Sequence, residues 1–114
     1  MRFDVEKFER DTNNSCYYEH WNDSLKQMNE RLGGGPTFLN SKHYWTFFVG
    51  GKARGAIKIG FDEKGNLFCE CVKKGASMTK EQANAMVETL MKVLNVFDEF
   101  GFIINSTEKG GEHI

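Results

Sequence analysis

The sequence predicts an α+β domain, a three-stranded antiparallel β-meander with helices packed on one face, in the order α-β-β-β-α. Three observations carry this. Residues 43–73 hold three short runs of strand-type residues separated by two turns rich in glycine, asparagine and aspartate. A helix-spaced segment before them stops at Gly33-Gly34-Gly35-Pro36. A capped, strongly apolar segment opens after them at Thr79. Consecutive strands joined by short turns pair antiparallel, and such a sheet keeps one face for the helices.

The elements follow in order. Residues 3–11 form a short helical turn with Phe3, Val5 and Phe8 as its apolar contacts, and Asn13-Asn14 breaks it. Ser15 caps a predicted helix over residues 16–32, whose apolar positions Tyr18, Trp21, Leu25, Met28 and Leu32 step by three and four. Residues 37–42 are a loop. Strands are expected at 43–49, 54–61 and 67–73. Gly50-Gly51 supplies the positive φ of the first turn, and Asp62-Glu63-Lys64-Gly65-Asn66 has turn chemistry throughout. Thr79 and Gln82 match a capping box. Behind it Ala83, Met86, Val87, Leu90, Met91, Leu94, Phe97 and Phe100 form a broad core stripe, closed by Gly101 at the C′ position. Phe102, Ile103 and Ile104 make a short last strand or cover the end of the core. Residues 1–104 read as one domain and the polar residues 105–114 as a mobile tail.

Composition narrows the class. A chain of 114 residues with 39% hydrophobic and 27% charged residues folds rather than staying disordered. The formal net charge of -1 argues against an overall basic nucleic-acid binder and against a strongly acidic mimic of DNA, and leaves room for a local basic patch of Lys52, Arg54, Lys58, Lys73 and Lys74 along the sheet. Cys16, Cys69 and Cys71 are odd in number and widely spaced, unlike a secreted disulfide framework, so reduced thiols are expected. The charged start MRFDVEKFERD lacks the apolar stretch of a signal peptide, and no window reaches the ~20 apolar residues of a membrane span. A cytoplasmic protein is the expectation.

Hairpin register decides which side chains meet the helices. A five-residue second turn sets Phe61 opposite Leu67, Ile59 opposite Cys69 and Ile57 opposite Cys71, all on the core face. The reverse face then pairs Lys58 with Glu70 and lays Phe68 across Gly60. The first hairpin has two solutions. A two- or four-residue turn buries Tyr44 and Phe48 and leaves Trp45, Phe47 and Val49 outside. A three-residue turn reverses the sets, and burial of tryptophan favours it. In either solution at least two aromatics share the outer face with Arg54, Lys58 and Phe68. This second aromatic row exceeds what a core needs. Its bland explanation is a cover supplied by the tail or by residues 1–11. Its functional explanation is an interface, because aromatic and arginine side chains anchor interfaces. Tyr44, Trp45, Phe47, Phe48, Arg54, Lys58 and Phe68 are therefore the candidate partner-binding residues, and a homodimer is one form of that interface.

Chemistry-bearing motifs are sparse. Cys16 and His20 at helical spacing, with Cys69 and Cys71 on one strand face, would suit zinc, yet the usual Cys-x-x-Cys knuckles are absent. A cysteine with His20 or His43 can be drawn as a dyad, but no local signature supports it. Asp98-Glu99 lies on a solvated helix face. Gly33-Gly34-Gly35 lacks the lysine and hydroxyl residue of a phosphate loop. No catalytic residue, metal or cofactor is assigned, and the chain is read as a non-enzyme.

Two resemblances remain. The α-β-β-β-α order is similar to the double-stranded RNA-binding domain, with an echo in Lys73-Lys74-Gly75-Ala76-Ser77 before the last helix. That family's basic cluster at the helix start is missing, because Thr79-Lys80-Glu81-Gln82 offers one lysine, and no residue is carried over. A nucleic-acid binder stacking bases on the sheet aromatics is the alternative reading. In size, topology and absence of a catalytic motif the chain also resembles small standalone inhibitors and adaptors, such as phage-encoded inhibitors of host defence systems. The expectation is a small binding protein that buries an aromatic patch on a protein partner, with Arg54 and Lys58 setting its orientation.

Overall fold

Alternation along Tyr44–Val49 sets the layering of the molecule. The computed structural model describes residues 1–33, 43–49, 55–71 and 79–105. Within them, β2 (Tyr44–Val49), β3 (Gly55–Phe61) and β4 (Leu67–Cys71) form an antiparallel meander in the order β2-β3-β4. Trp45 lies opposite Ile59 and Phe47 opposite Ile57, so the odd-numbered row faces the helices. This is the sorting of faces that buries Trp45, as expected of the favoured solution, and residues 50–54 between the two strands lie outside the described residues. In the second hairpin Phe61 pairs with Leu67, Ile59 with Cys69 and Ile57 with Cys71, as expected from its turn chemistry. Asp62 holds that turn. Its Oδ1 accepts from the backbone N–H groups of Lys64 and Asn66, and its Oδ2 from the Asn66 amide. These bonds favour the ionised carboxylate and hold Asp62 below the usual carboxylate range, the Asn66 side chain contributing most.

Three helices gather on the odd-numbered face. They are α1 (Val5–Asp11), α2 (Asp23–Arg31) and α3 (Lys80–Glu99). Trp45 shows the convergence. Its ring meets Phe8 of α1 and Phe97 of α3, and its Nε1 donates to Asn29 Oδ1 of α2 at 3.3 Å. α3 has the predicted capping box in full, with the Thr79 hydroxyl accepting from Gln82 N–H and the Gln82 amide oxygen accepting from Thr79 N–H.

Three expectations are corrected. Phe3 is not helical. It belongs to β1 (Arg2–Phe3), which pairs antiparallel with β5 (Ile103–Ile104) in a separate two-stranded sheet. The last strand thus exists but pairs with the N-terminal segment and not with the meander. The helix expected over 16–32 starts late. Asn13 and Asn14 are both left-handed, Tyr18–His20 is a 3₁₀ turn, and Asn22, not Ser15, caps α2 by accepting from Leu25 N–H. Ser15 serves the bend instead, its carbonyl accepting from Trp21 Nε1. Third, the buried face of α3 is displaced from the expected stripe. Val93 and Val96, outside that stripe, are buried with Phe97, whereas Val87 and Met91 are each 55% exposed.

Phe3 is the hub of the core. It stacks on Phe61 at 3.9 Å between centroids, lies 5.3 Å from Phe102, and meets Phe8 and Phe97 edge-on. Gly65 makes this approach possible. Its φ is +84°, and a Cβ there would lie 2.5 Å from the Phe3 carbonyl oxygen, while the Gly65 carbonyl accepts from Phe3 N–H. Lys7 completes the N-terminal seam by lying over the Phe102 ring and pairing with the buried Asp11.

Two stability outcomes follow. Trp45→Ala should cost about 3–5 kcal/mol in urea unfolding, while Phe48→Ala, on the other face, stays within about 0.5 kcal/mol of the parent. Gly60→Ala should cost ~1–3 kcal/mol, because its Cβ would fall 2.5 Å from the His43 carbonyl oxygen and 2.6 Å from Tyr44 Cβ.

Candidate functional site

The even-numbered row of the sheet forms the candidate surface. Across the strands it reads Tyr44, Gly60, Phe68 in one rank and Thr46, Lys58, Glu70 in the next, with Phe48 opposite Ala56 beyond. Strand alternation puts all of these on the face away from α1, α2 and α3. Phe48 is 86% exposed, an extreme value for a phenylalanine in a strand. Tyr44 and Phe68 are half-buried along the sheet. Gly60 between them has no side chain, so the backbone of β2 lies close over it.

Lys58 organises the centre. Its Nζ stands 4.6 Å from the Tyr44 ring centroid and 3.6 Å from Glu70 Oε1. The ammonium is thus shared between a π face and a carboxylate. Its charge is largely answered within the sheet, so the described part of the face is aromatic with a compensated ion pair rather than basic.

The candidate residues therefore divide. Tyr44, Lys58 and Phe68 cluster on the outer face, and Phe48 lies on the same face two ranks away. Trp45, 4% exposed, and Phe47, packed against the core, are turned inward and leave the candidate set. Arg54 lies outside the described residues, as do Lys52, Lys73 and Lys74. Residues 1–11, one of the two segments considered as a cover for this face, pack instead on the helix side through Phe3 and Phe8. The other, the tail beyond Asn105, lies outside the described residues.

The cysteines are separate in character. Cys16 precedes the 3₁₀ turn and is exposed, so its helical spacing to His20 is not realised. His20 Nδ1 is engaged with the Ser15 hydroxyl at 2.8 Å. On β4, Cys71 is exposed and Cys69 partly buried. Burial pushes the Cys69 thiol up, and the neighbouring Cys71 adds to the rise, which opposes thiolate formation. No group of three metal-ligating side chains occurs among the described residues.

Sequence reasoning missed a second surface on α3. Val87 and Met91, one turn apart, border a shallow hollow of about 500 Å³ that runs past Glu88 and Lys92 to the Arg31–Glu99 pair. Arg31 donates to both oxygens of Glu99, and these bonds, with the Coulomb attraction, hold the Glu99 carboxyl below its usual range. The signal was present in the width of the stripe, which exceeds the arc one helix can bury. No described helix is long and apolar enough to cross a membrane.

Comparison of the chain with protein-family models, with curated proteins and with solved structures finds no match.

A thiol reagent at neutral pH should modify Cys16 and Cys71 well before Cys69, read by mass spectrometry of peptides at successive times. Equal rates at Cys69 would contradict its partial burial.

Proposed function

We propose that this protein is a small non-enzymatic binding domain that docks the outer face of its sheet on a protein partner, in the manner of an inhibitor or adaptor. The observation that carries the reading is Phe48, 86% exposed on the face away from the helices, two ranks along the sheet from Tyr44 and Phe68. A ring standing in water near the end of a strand contributes little to the fold, while burial against a partner returns a large apolar area. Tyr44 and Lys58 supply the polar part. Their mutual contact and the Glu70 carboxylate restrict the side chains before binding, which lowers the entropy lost on association.

A protein is favoured over a nucleic acid by the charge of this face. Lys58 is compensated by Glu70, so phosphate neutralisation has no unpaired cation among the described outer-face residues. Catalysis is disfavoured by the distribution of perturbed groups. Arg31 with Glu99, Asp62 and Cys69 shift for separate local reasons and do not converge on one hollow.

The test is affinity capture from the source organism with the parent, Phe48→Ala and Phe68→Ala, followed by titration of the captured partner. Phe48→Ala should cost about 2 kcal/mol in binding and leave the melting temperature unchanged. Binding that survives moderate salt supports a protein partner. Steep loss with salt, together with 260 nm absorbance in the captured fraction, would replace it with a nucleic acid. Undiminished binding by both variants would remove the outer face from the function.

A further inference from the structure

We infer that two copies of this chain join edge to edge through β2, making one continuous six-stranded sheet. β2 and β4 are the two edges of the described meander. The inference starts from where the backbone of β2 points. Phe61 N–H donates to the His43 carbonyl, so His43 and Phe61 are a hydrogen-bonded pair of the antiparallel ladder. Such pairs alternate with pairs that do not bond to each other. Trp45 and Phe47 therefore bond inward to Ile59 and Ile57, and the N–H and C=O groups of Tyr44, Thr46 and Phe48 point away from β3.

Among the described residues no strand pairs with that side of β2. Edge strands of monomers are blunted by charge, proline or a bulge. Tyr44–Val49 has none of these. Its sequence YWTFFV has no charged residue and no proline, and its pairing with β3 runs without interruption over all six residues. β4 is different, carrying Glu70 within a shorter strand.

The occupant is set by self-complementarity. A second β2 laid antiparallel must join outward-pointing residues to outward-pointing residues, and must keep the helix face on one side. The register that uses the whole strand puts Thr46 opposite Thr46 of the second copy on a two-fold axis. Tyr44 then lies opposite the second copy's Phe48, and Phe48 opposite its Tyr44. On the helix side Trp45 lies opposite Phe47 of the second copy. Threonine–threonine and aromatic–aromatic are favourable cross-strand pairs, and no like charges meet. The arrangement also gives the exposed Phe48 a neighbour, and it runs the outer faces of two copies together.

Light scattering on the full chain should give about twice the monomer mass of 13.1 kDa. Thr46→Lys should return it to the monomer mass with unchanged circular dichroism, because two ammonium groups would meet on the axis. Amide exchange supplies a readout that needs no variant. The N–H groups of Thr46 and Phe48 should be protected in a concentration-dependent way, whereas in a monomer they face solvent. A parent that stays monomeric up to about 1 mM overturns the proposal. So does a dimer whose Thr46 and Phe48 amides exchange freely, or a dimer that persists in folded Thr46→Lys. Because the readouts are mass and amide protection, their failure leaves the partner-binding reading of the outer face to its own test.

Discussion

The stack of Phe3 on Phe61 is the contact on which the rest of the architecture depends. It joins the third residue of the chain to the last residue of the central strand. Around it Phe8, Phe97 and Phe102 arrive from α1, α3 and the approach to β5. A three-stranded sheet this small cannot close a core with helices alone at both ends. The N-terminal segment fills one end, and the short β1–β5 sheet clamps it there. The tightness of the clamp explains the demand for glycine at residue 65, where backbone passes against backbone.

This arrangement bears on function through a division of labour. The described helices α1, α2 and α3 and the aromatic hub are committed to one face of the meander. Nothing in that core requires Phe48, and its ring gains no burial from the fold. The Phe48 side chain can thus change without disturbing Phe3, Phe61 or Trp45, whereas Gly60 in the same row is fixed by the close approach of β2. The pairing of Lys58 with Glu70 and Tyr44 shows the same separation. These side chains order one another on the surface and leave the core ladder untouched.

Legibility in the sequence followed the locality of the signal. The second hairpin was readable because Asp62 and Asn66 announce the turn and a five-residue loop leaves one face wholly apolar. The start of α3 was readable because threonine and glutamine three apart satisfy each other's backbone donors. Trp45 could be placed inward by its size alone. The start of α2 was not readable. Tyr18 and Trp21 keep helical spacing, but Asn13 and Asn14 turn the chain left-handed, and Asn22 offers a better cap than Ser15. The β1–β5 pair was also hidden, since two-residue strands have no periodicity and their partners are far apart in sequence. For the candidate site, the aromatic surplus was visible as a count, but only the register separated Tyr44 and Phe48 from Trp45 and Phe47. The exposure of Val87 and Met91 was signalled only by an apolar stripe broader than the arc one helix can bury.

The β1–β5 pairing has a consequence for biosynthesis. Arg2 pairs across to Ile104, so β1 is completed by a strand made roughly a hundred residues later. Until that segment leaves the ribosome, Phe3 has no closed pocket and the meander has an open end. The domain therefore cannot finish folding in vectorial order from its N-terminus, and nascent chains cut short before Phe102 would display the aromatic hub to solvent. A closing ladder of this kind makes the arrival of Ile103–Ile104 the checkpoint for a sealed core.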